Sequence, residues 1–266
     1  MKPITSYIIC SVQRSGTHLL CSILEKTRLA GSPDEYFISE ADWTWEKRWG
    51  SPSRAVYIER IFEQKTTPNG VCGFVVMWVY FDRMLQMLQE IPAYKDMNGS
   101  QLLDAIFNRP KYIWMRRRDH VQQAVSWAIA LQTGVWIKKT GKTPKPRSKP
   151  HFDFNLIDDL HNRITAGEAG WANYFRENQI APLVLFYEDI VASNRDAAVR
   201  VLEFLGAPFP PTLEIAAPTT QKQAGSIAQE WAASYRKLKE NKVSKLAHAF
   251  RRAFTGKSVW LCLTLS

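Results

Sequence analysis

Three long apolar runs constrain the fold of this chain more than any other feature. Residues 71–79, 111–115 and 183–187 are almost continuously apolar and show no polar alternation. Strands of this kind are buried on both faces, as in a parallel sheet that lies between layers of helices. Apolar residues at helical spacing follow two of the runs, over residues 120–133 and 193–205. This order of elements predicts an α/β fold with three layers, αβα, around a central and mostly parallel sheet.

Near the N-terminus, a further apolar run leads into a glycine turn and then into a helix. The run covers residues 7–12, the turn reads Gln13-Arg14-Ser15-Gly16-Thr17, and helical spacing of apolar residues covers 19–27. A strand that ends at such a turn directs several backbone N–H groups at one point, and the helix adds the positive end of its dipole. Arg14 and the hydroxyls of Ser15 and Thr17 supply further donors. The segment therefore predicts a site for a phosphate or sulfate group.

The turn is not a Walker A loop, because Gly-x-x-x-x-Gly-Lys-Ser/Thr is absent and Arg14 precedes the glycine. This disfavours a nucleoside triphosphate and leaves a phosphate or sulfate loop that needs a second anion site. The end of the 111–115 run supplies one, since Arg116, Arg117 and Arg118 follow it directly. Ser126 lies on the next predicted helix, nine residues beyond Arg117.

Composition limits the class of protein without identifying it. The chain has 266 residues, 45% of them hydrophobic, which is enough for a sizeable core and excludes disorder throughout. We see no internal repeat or linker and predict one domain over residues 1–266. The net charge of +10 suits a nucleotide, a nucleic acid or an anionic membrane surface, and it does not choose among them.

Four cysteines are spread along the chain, at positions 10, 21, 72 and 262, and none forms a Cys-x-x-Cys pair for zinc or redox chemistry. We expect free thiols in a reducing compartment. The N-terminus lacks the long uncharged core of a signal peptide, which favours a cytoplasmic location. The apolar stretch 259–265 is far shorter than the roughly 20 residues that a membrane-spanning helix needs.

Two basic stretches stand apart from the predicted sheet. Residues 138–150 contain six Lys or Arg residues, three prolines and no acid, which predicts a mobile surface loop. This loop is either a solvated insertion or a cover for the site. Residues 236–257 form a basic helix with an apolar side, followed by an apolar tail to 266. The helix either docks on the body of the protein or touches an anionic membrane.

The stretch from Glu35 to Gly50 is unusually aromatic for a polar segment. Flat apolar rings suit the faces of sugars, so these side chains could form a sugar-binding wall. The alternative is a set of half-buried rings that pack a loop onto the body. The sequence favours neither. The rings concerned are Tyr36, Phe37, Trp43, Trp45 and Trp49.

Five motifs in order resemble one enzyme family. They are Gln13-Arg14-Ser15-Gly16, the segment 30–37 (Ala-Gly-Ser-Pro-Asp-Glu-Tyr-Phe), Gln123-Ala-Val-Ser126, Gln132-Thr-Gly-Val-Trp136 and Glu230-Trp231. Together they resemble the bacterial carbohydrate sulfotransferases of the trehalose 2-sulfotransferase type, which use 3′-phosphoadenosine 5′-phosphosulfate (PAPS). Proteins labelled as lipopolysaccharide or nodulation-factor sulfotransferases belong to the same family. The resemblance covers residues 7–236 and implies the P-loop-like sulfotransferase fold.

The resemblance implies how the donor is bound. The first loop binds the 5′-phosphosulfate. An arginine at a later strand end and a serine on the next helix bind the 3′-phosphate. Here these last two are Arg117 and Ser126, with Arg116 and Arg118 as solvated alternatives. A segment before the Glu-Trp pair closes over the nucleotide. The implied donor-binding residues are Arg14, Ser15, Gly16, Thr17, His18, Arg117, Ser126, Lys222 and Gln223.

The resemblance also assigns the chemistry. Glu35 takes the role of general base for a sugar hydroxyl, and Arg14 stabilises the charge on the leaving phosphate. No metal is required, the product is adenosine 3′,5′-bisphosphate, and the acceptor is trehalose, a glycolipid or a lipopolysaccharide sugar. Family members can form homodimers. The implied acceptor-binding residues are Gln13, Asp34, Glu35, Tyr36, Trp43, Trp45 and Trp49.

One position departs from the family. Related sequences often carry Lys or Arg in the second strand, where this chain has Val75. A cation near the transferred group is therefore missing, which bears on the acceptor position or on the catalytic rate. Two rival functions are a nucleotide kinase of similar topology and a basic protein that binds nucleic acid or an anionic surface. Neither rival accounts for the ordered motifs, so we expect no nucleic-acid partner.

Overall fold

The computed structural model describes residues 2–38, 49–137, 145–216 and 225–255, with the backbone alone at 243 and 245–255. Its strands are β1 (Thr5–Ser11), β2 (Val71–Met77), β3 (Lys111–Arg116) and β4 (Leu183–Phe186). Its α-helices are α1 (Thr17–Thr27), α2 (Arg54–Lys65), α3 (Trp78–Gln89), α4 (Gly99–Phe107), α5 (His120–Thr133), α6 (Phe154–Glu177), α7 (Tyr187–Ala192), α8 (Asn194–Leu205) and α9 (Ser226–Thr255). A short 3₁₀ turn covers Pro92–Tyr94.

The four strands form a parallel sheet in the order β2-β1-β3-β4. The last residue of β1, Ser11, lies opposite Met77 of β2, and Arg116 of β3 lies opposite Phe186 of β4. The carboxyl ends of the strands therefore meet along one edge. The chain passes from β1 to one side for β2 and to the other side for β3, so the strand order reverses at β1. Ligands of open α/β sheets bind in the crevice at such a reversal.

Two apolar clusters cover the two faces of the sheet. In β1, Ile8 and Cys10 point into a cluster formed with α2 to α6 and α9, while Tyr7 and Ile9 point into a second cluster formed with α1 and α8. This alternation follows from the period of two along a strand. The predicted three-layer αβα fold with a parallel sheet is confirmed.

Two of the apolar runs are shorter as strands than the sequence predicts. The run 71–79 changes at Met77 from strand to helix, and the run 183–187 changes at Phe186. Trp78, the first residue of α3, packs against α6, where a side chain at Gly170 would come within 2.1 Å of its ring. An apolar run does not by itself show where a buried strand gives way to a buried helix.

The sequence analysis did not identify α2, α3, α4 or α6. Helix α6 matters for the site, because the buried Trp171 donates from Nε1 to the backbone oxygen of Ser11 at 2.8 Å. This hydrogen bond holds the end of β1 against the helix layer. The long helix therefore fixes the point where the predicted phosphate loop begins.

The basic C-terminal helix starts ten residues earlier than predicted, at Ser226, and its first half docks on the body. Tyr235 donates to Asp158 of α6 at 2.6 Å, and Arg236 donates to both carboxylate oxygens of Asp119 at 2.8 and 2.9 Å. For this half of the helix, the docking alternative is confirmed. No helix in the described part of the chain has the length and apolar content needed to cross a membrane.

The described end of the basic loop, residues 145–150, is anchored to the C-terminus of α5. The backbone N–H of Arg147 donates to the carbonyl of Thr133 at 2.8 Å. Gln132 bonds the backbone of His151 twice, donating at 3.0 Å and accepting at 2.8 Å. This end is an exposed segment without helix or strand, as predicted, its mobility stays a prediction, and 138–144 lie outside the described residues. The thiols of Cys10, Cys21 and Cys72 are free, as expected.

Candidate active site

The turn between β1 and α1 forms the predicted anion loop. Gly16, at φ 98°, precedes the first residue of α1, and no side chain caps that end of the helix. The first N–H groups of α1 therefore have no side-chain partner, and the helix dipole favours an anion beside them. A Cβ on Gly16 would lie 2.4 Å from the ring of Tyr187. Both the left-handed backbone and the close ring demand glycine here.

The serine of the turn faces the interior instead of the loop. Ser15 is fully buried, and its Oγ bonds the Oγ of Ser11, which in turn donates to the carbonyl of Met115 at 2.6 Å. Its hydroxyl thus ties the turn to β3, which differs from the prediction that this hydroxyl holds the anion. Thr17 is also buried, as the first residue of α1. The loop consequently offers an anion backbone N–H groups more than hydroxyls.

Arg14 reaches across to α5. Its backbone is left-handed, with φ 67°, which is uncommon for a residue with a side chain. Its Nε donates to the Oγ of Ser126 at 3.2 Å, and its Nη1 donates to the carbonyl of Trp136 at 2.5 Å. The arginine predicted for one end of the donor therefore touches the serine predicted for the other end. The two predicted anion sites adjoin each other.

Arg117 completes this group. Its side chain is 11% exposed, its guanidinium lies 4.8 Å from the ring centre of Tyr187, and its Nε lies 3.8 Å from the nearer carboxylate oxygen of Glu188. That Nε is buried and donates no hydrogen bond within the described residues. Burial, and next the charge of Arg117, lower the pKa of Arg14 to about 10. Two guanidiniums that repel each other in a partly buried crevice favour an anion between them.

The neighbours of Arg117 have other partners. Arg116 donates from Nε to Glu168 of α6 at 2.5 Å, and burial raises the pKa of that carboxyl. Arg118 forms a bidentate ion pair with Asp189 of α7, in which Nη1 and Nη2 donate to the two carboxylate oxygens at 2.8 and 2.9 Å. Arg116 is paired with a buried carboxyl, so the expectation that it is solvated is wrong, whereas Arg118 is half-exposed in a surface pair, as expected. Of the three, Arg117 is the one that adjoins Arg14.

Glu35 lies next to the anion loop. Asp34 forms an isolated parallel bridge with Phe74 of β2, which fixes the backbone just before Glu35. The Glu35 side chain is 16% exposed, and its Oε1 lies 4.0 Å from Nε2 of His18 on α1. Burial first, and the charge of Asp34 second, raise the pKa of Glu35 to about 7, while Arg14 opposes them. A carboxyl with a pKa near 7 is suited to act as a general base at neutral pH.

The aromatic residues after Glu35 that the structure describes belong to the core. Tyr36 is 3% exposed, its ring centre lies 6.2 Å from that of Phe74, and its hydroxyl donates to the carbonyl of Ser32. The ring centre of Trp49 lies 5.9 Å from that of Tyr57. Tyr36 therefore fits the packing alternative, whereas Trp49 is partly exposed, packs against the core, and stays a predicted sugar contact.

Several predicted residues are not tested by the geometry. Trp43, Trp45, Lys222 and Gln223 lie outside the described residues. Val75, where relatives often carry a cation, is buried in the second apolar cluster.

Two predicted acceptor residues already use polar atoms inside the protein. The carbonyl of Gln13 accepts from Nε2 of Gln123 at 2.8 Å, and Oδ1 of Asp34 accepts from the backbone N–H of Glu35 at 2.8 Å. These bonds order the loop and the general-base candidate respectively. They leave the acceptor contacts of both residues as predictions.

Sequence reasoning missed Tyr187 and Gln123 as parts of the site. Tyr187 appeared only as the end of an apolar run, although the Glu-Asp pair after it marked a strand end at the same edge of the sheet. Gln123 was a polar residue three positions before Ser126, hence on the same face of the helix. Within the described ranges, no three His, Cys, Asp or Glu side chains are grouped so that they could hold a metal ion.

Comparisons with known proteins identify the family of this chain. The family model described as "Stf0 sulphotransferase" matches residues 6–238. The trehalose 2-sulfotransferase of Mycolicibacterium smegmatis is 29% identical over 261 residues, covering 88% of this chain and 95% of the relative. That of Mycobacterium tuberculosis is 28% identical over 263 residues, covering 88% and 96%.

Among solved structures, the sulfotransferase domain of the Synechococcus PCC 7002 olefin synthase is similar with a TM-score of 0.47 and 16% identity, over 80% of this chain and 77% of that one. The match of the family model over most of the chain decides the assignment. This protein belongs to the Stf0 sulphotransferase family.

Proposed function

We propose that this protein transfers the sulfuryl group of PAPS to a hydroxyl of a carbohydrate, with trehalose as the first candidate acceptor. The relatives named trehalose 2-sulfotransferases align over nearly their whole length, which supports a sugar of this size. The observation that carries the proposal is the convergence of Arg14, Arg117 and Ser126 beside the uncapped start of α1. One crevice thus offers two adjoining places for anionic groups, as a nucleotide with phosphates at both ends requires.

The residues of the crevice fit such a donor. The N–H groups at the start of α1 would hold the 5′-phosphosulfate, and the Arg14 charge would stabilise the phosphate as it leaves. Arg117, with a buried Nε that lacks a hydrogen-bond acceptor in the described chain, would hold the 3′-phosphate together with Ser126. His18, on the first turn of α1, would lie between the donor and Glu35.

Glu35 would take the acceptor proton. The hydroxyl oxygen of the sugar forms a bond to sulfur as the bond from sulfur to the donor phosphate breaks, and the hydroxyl proton passes to Glu35. The raised pKa of Glu35 supports this role, because a carboxylate with that pKa is a much stronger base than an exposed glutamate. Most of the remaining rate enhancement would come from positioning and from the fixed charges of the crevice.

The simplest test measures thermal unfolding with adenosine 3′,5′-bisphosphate. A ligand that binds the folded state raises the melting temperature, and the rise grows with its concentration. We expect stabilisation that persists in a metal chelator and that an equal concentration of adenosine does not give. Absence of any shift at millimolar bisphosphate would contradict the proposal. Transfer of labelled sulfate from PAPS to trehalose, to glycolipids and to lipopolysaccharide sugars then identifies the acceptor.

The proposal includes a setting for the enzyme. We infer a cytoplasmic protein that can form a homodimer and whose basic C-terminal segment touches an anionic membrane where the acceptor is a glycolipid. The half-exposed Leu238 and the exposed Lys237 beside it support such a contact. Flotation with vesicles that contain anionic lipid tests it, and chromatography with light scattering measures the oligomeric state.

A further inference from the structure

Gln123 is a fully buried polar side chain that the proposed reaction does not use. It lies on α5 with no exposed surface, and its Nε2 donates to the carbonyl of Gln13 at 2.8 Å. Buried amides are costly unless they are bonded, so a glutamine at such a position needs a physical reason. Here the bond joins α5 to the first residue of the anion loop.

A second bond joins the same two elements. Ser126 lies three residues after Gln123, on the same face of α5, and accepts from Nε of Arg14. Two successive loop residues, Gln13 and Arg14, are therefore tied to one face of one helix. Arg14 also has the left-handed backbone that side chains disfavour, and such a conformation persists only where the surroundings impose it.

We propose that Gln123 is a positioning residue that sets the spacing between the two anion sites. The loop beside α1 is one site, and Arg117 with Ser126 is the other. A ligand with two anionic groups gains affinity from its second contact only where the sites match its span. This inference rests on the proposed function, because it takes a nucleotide with phosphates at both ends as the ligand.

The orientation of the Gln123 amide makes the proposal specific. Its Oε1 is buried and has no hydrogen-bond partner among the described residues. If the amide were reversed, its oxygen would face the Gln13 carbonyl and two acceptors would meet, so the donor nitrogen belongs on this side. The role of Gln123 thus depends on a donated hydrogen at one atom.

The first test uses Gln123→Met, which keeps length and apolar volume and removes the donor. Titration calorimetry would measure the affinities of adenosine 3′,5′-bisphosphate and of AMP for the full chain. We expect the wild type to bind the bisphosphate more tightly than AMP, and the ratio of the two affinities is called the bisphosphate advantage. In the variant we expect this advantage to fall about tenfold, the effect of one lost buried hydrogen bond, while AMP affinity changes less than about twofold. An unchanged advantage in folded Gln123→Met would overturn the inference.

A second variant, Gln123→Glu, tests the donated hydrogen directly and does not depend on the first variant's folding. A protonated carboxyl donates to the Gln13 carbonyl, whereas a carboxylate repels it. Measured against the wild type at the same pH, the bisphosphate advantage should be low at pH 8 and recover towards pH 5. A loss that is the same at both pH values would contradict the role of this hydrogen bond.

Gln132→Met is the matched control. It makes the same substitution on the same helix and removes the two bonds to the backbone of His151. A general weakening of α5 would reduce the bisphosphate advantage here as well, and that result would also overturn the inference. If the wild type bound the bisphosphate no better than AMP, the proposed function itself would fail. If the wild type showed the advantage and folded Gln123→Met kept it, the inference alone would fail.

Discussion

The turns that follow β1 and β3 lie side by side at one edge of the sheet, yet they build their anion sites differently. The first uses backbone: a glycine that nothing larger could replace, a left-handed Arg14 and a serine turned inward. The second uses three successive arginines, and only the partners of each side chain show which one serves the site. An anion site built from backbone groups can be recognised from a short sequence motif. For a site built from side chains, the arginine that serves it can be identified only from its partners, which lie on elements much later in the chain.

Glu35→Gln should give the largest loss and should leave both turns intact. The amide cannot accept the proton, so we expect turnover to fall about 1,000-fold, within the range for general bases. Affinity for adenosine 3′,5′-bisphosphate should stay within about threefold, because both turns bind the donor. Labelled-sulfate transfer and calorimetry measure the two quantities. Glu25→Gln, an exposed change on α1, is the control and should keep full turnover.

Arg117→Ala tests the side-chain site. Loss of a buried charged donor should weaken the bisphosphate about 100-fold, since such contacts to phosphate are strong. Arg118→Ala is the control and removes the neighbouring charge. The half-exposed pair of Arg118 with Asp189 contributes little to stability. This variant should weaken bisphosphate binding less than threefold. Equal losses in the two variants would show that net charge alone attracts the ligand. Calorimetry at two salt concentrations separates these outcomes.

Gly16→Ala tests the backbone site. The added methyl group meets the Tyr187 ring, so the turn must shift and bisphosphate affinity should fall about tenfold. Gly206→Ala, at the end of α8, provides the comparison, because Gly206 has a similar left-handed backbone with open space around it. That variant should lose about 1 kcal/mol of stability through strain alone and keep its affinity. Unaltered binding by folded Gly16→Ala would refute the backbone site.

A last prediction concerns pH and stability. Burial raises the pKa of Glu35 to about 7 in the folded protein, from about 4.5 for an exposed glutamate, so the folded state holds an extra proton between these values. Stability contributed by this group is therefore lost as pH rises through that window, up to about 3 kcal/mol. Glu35→Gln should melt several degrees above the wild type at pH 8 and at the same temperature near pH 4. Equal melting temperatures at pH 8 would contradict the raised pKa.

The sequence revealed the layers of the fold and the loop after β1, because both depend on local patterns. It did not reveal the partners of Arg116 and Arg118, since Glu168 and Asp189 belong to helices whose packing no local pattern specifies. The inward turn of Ser15 was missed for the same reason, because its partner Ser11 is set by β3 and α6.

The aromatic stretch remained ambiguous because a ring at a given spacing suits a sugar face or a core equally well. The structure places Tyr36 in the core beside Phe74, and it packs the partly exposed Trp49 against Tyr57. For Glu35, motif resemblance suggested the role, and the burial that raises its pKa came only from the folded chain.

The basic loop has one more consequence. Its entry is held where the Trp136 carbonyl accepts from Arg14, and its exit is held where Arg147 bonds the end of α5. The two attachment points lie on the backbone of residues 136 and 147, on either side of 138–144. A change of sequence at 138–144 therefore leaves both attachment groups, the Trp136 carbonyl and the Arg147 N–H, in the chain.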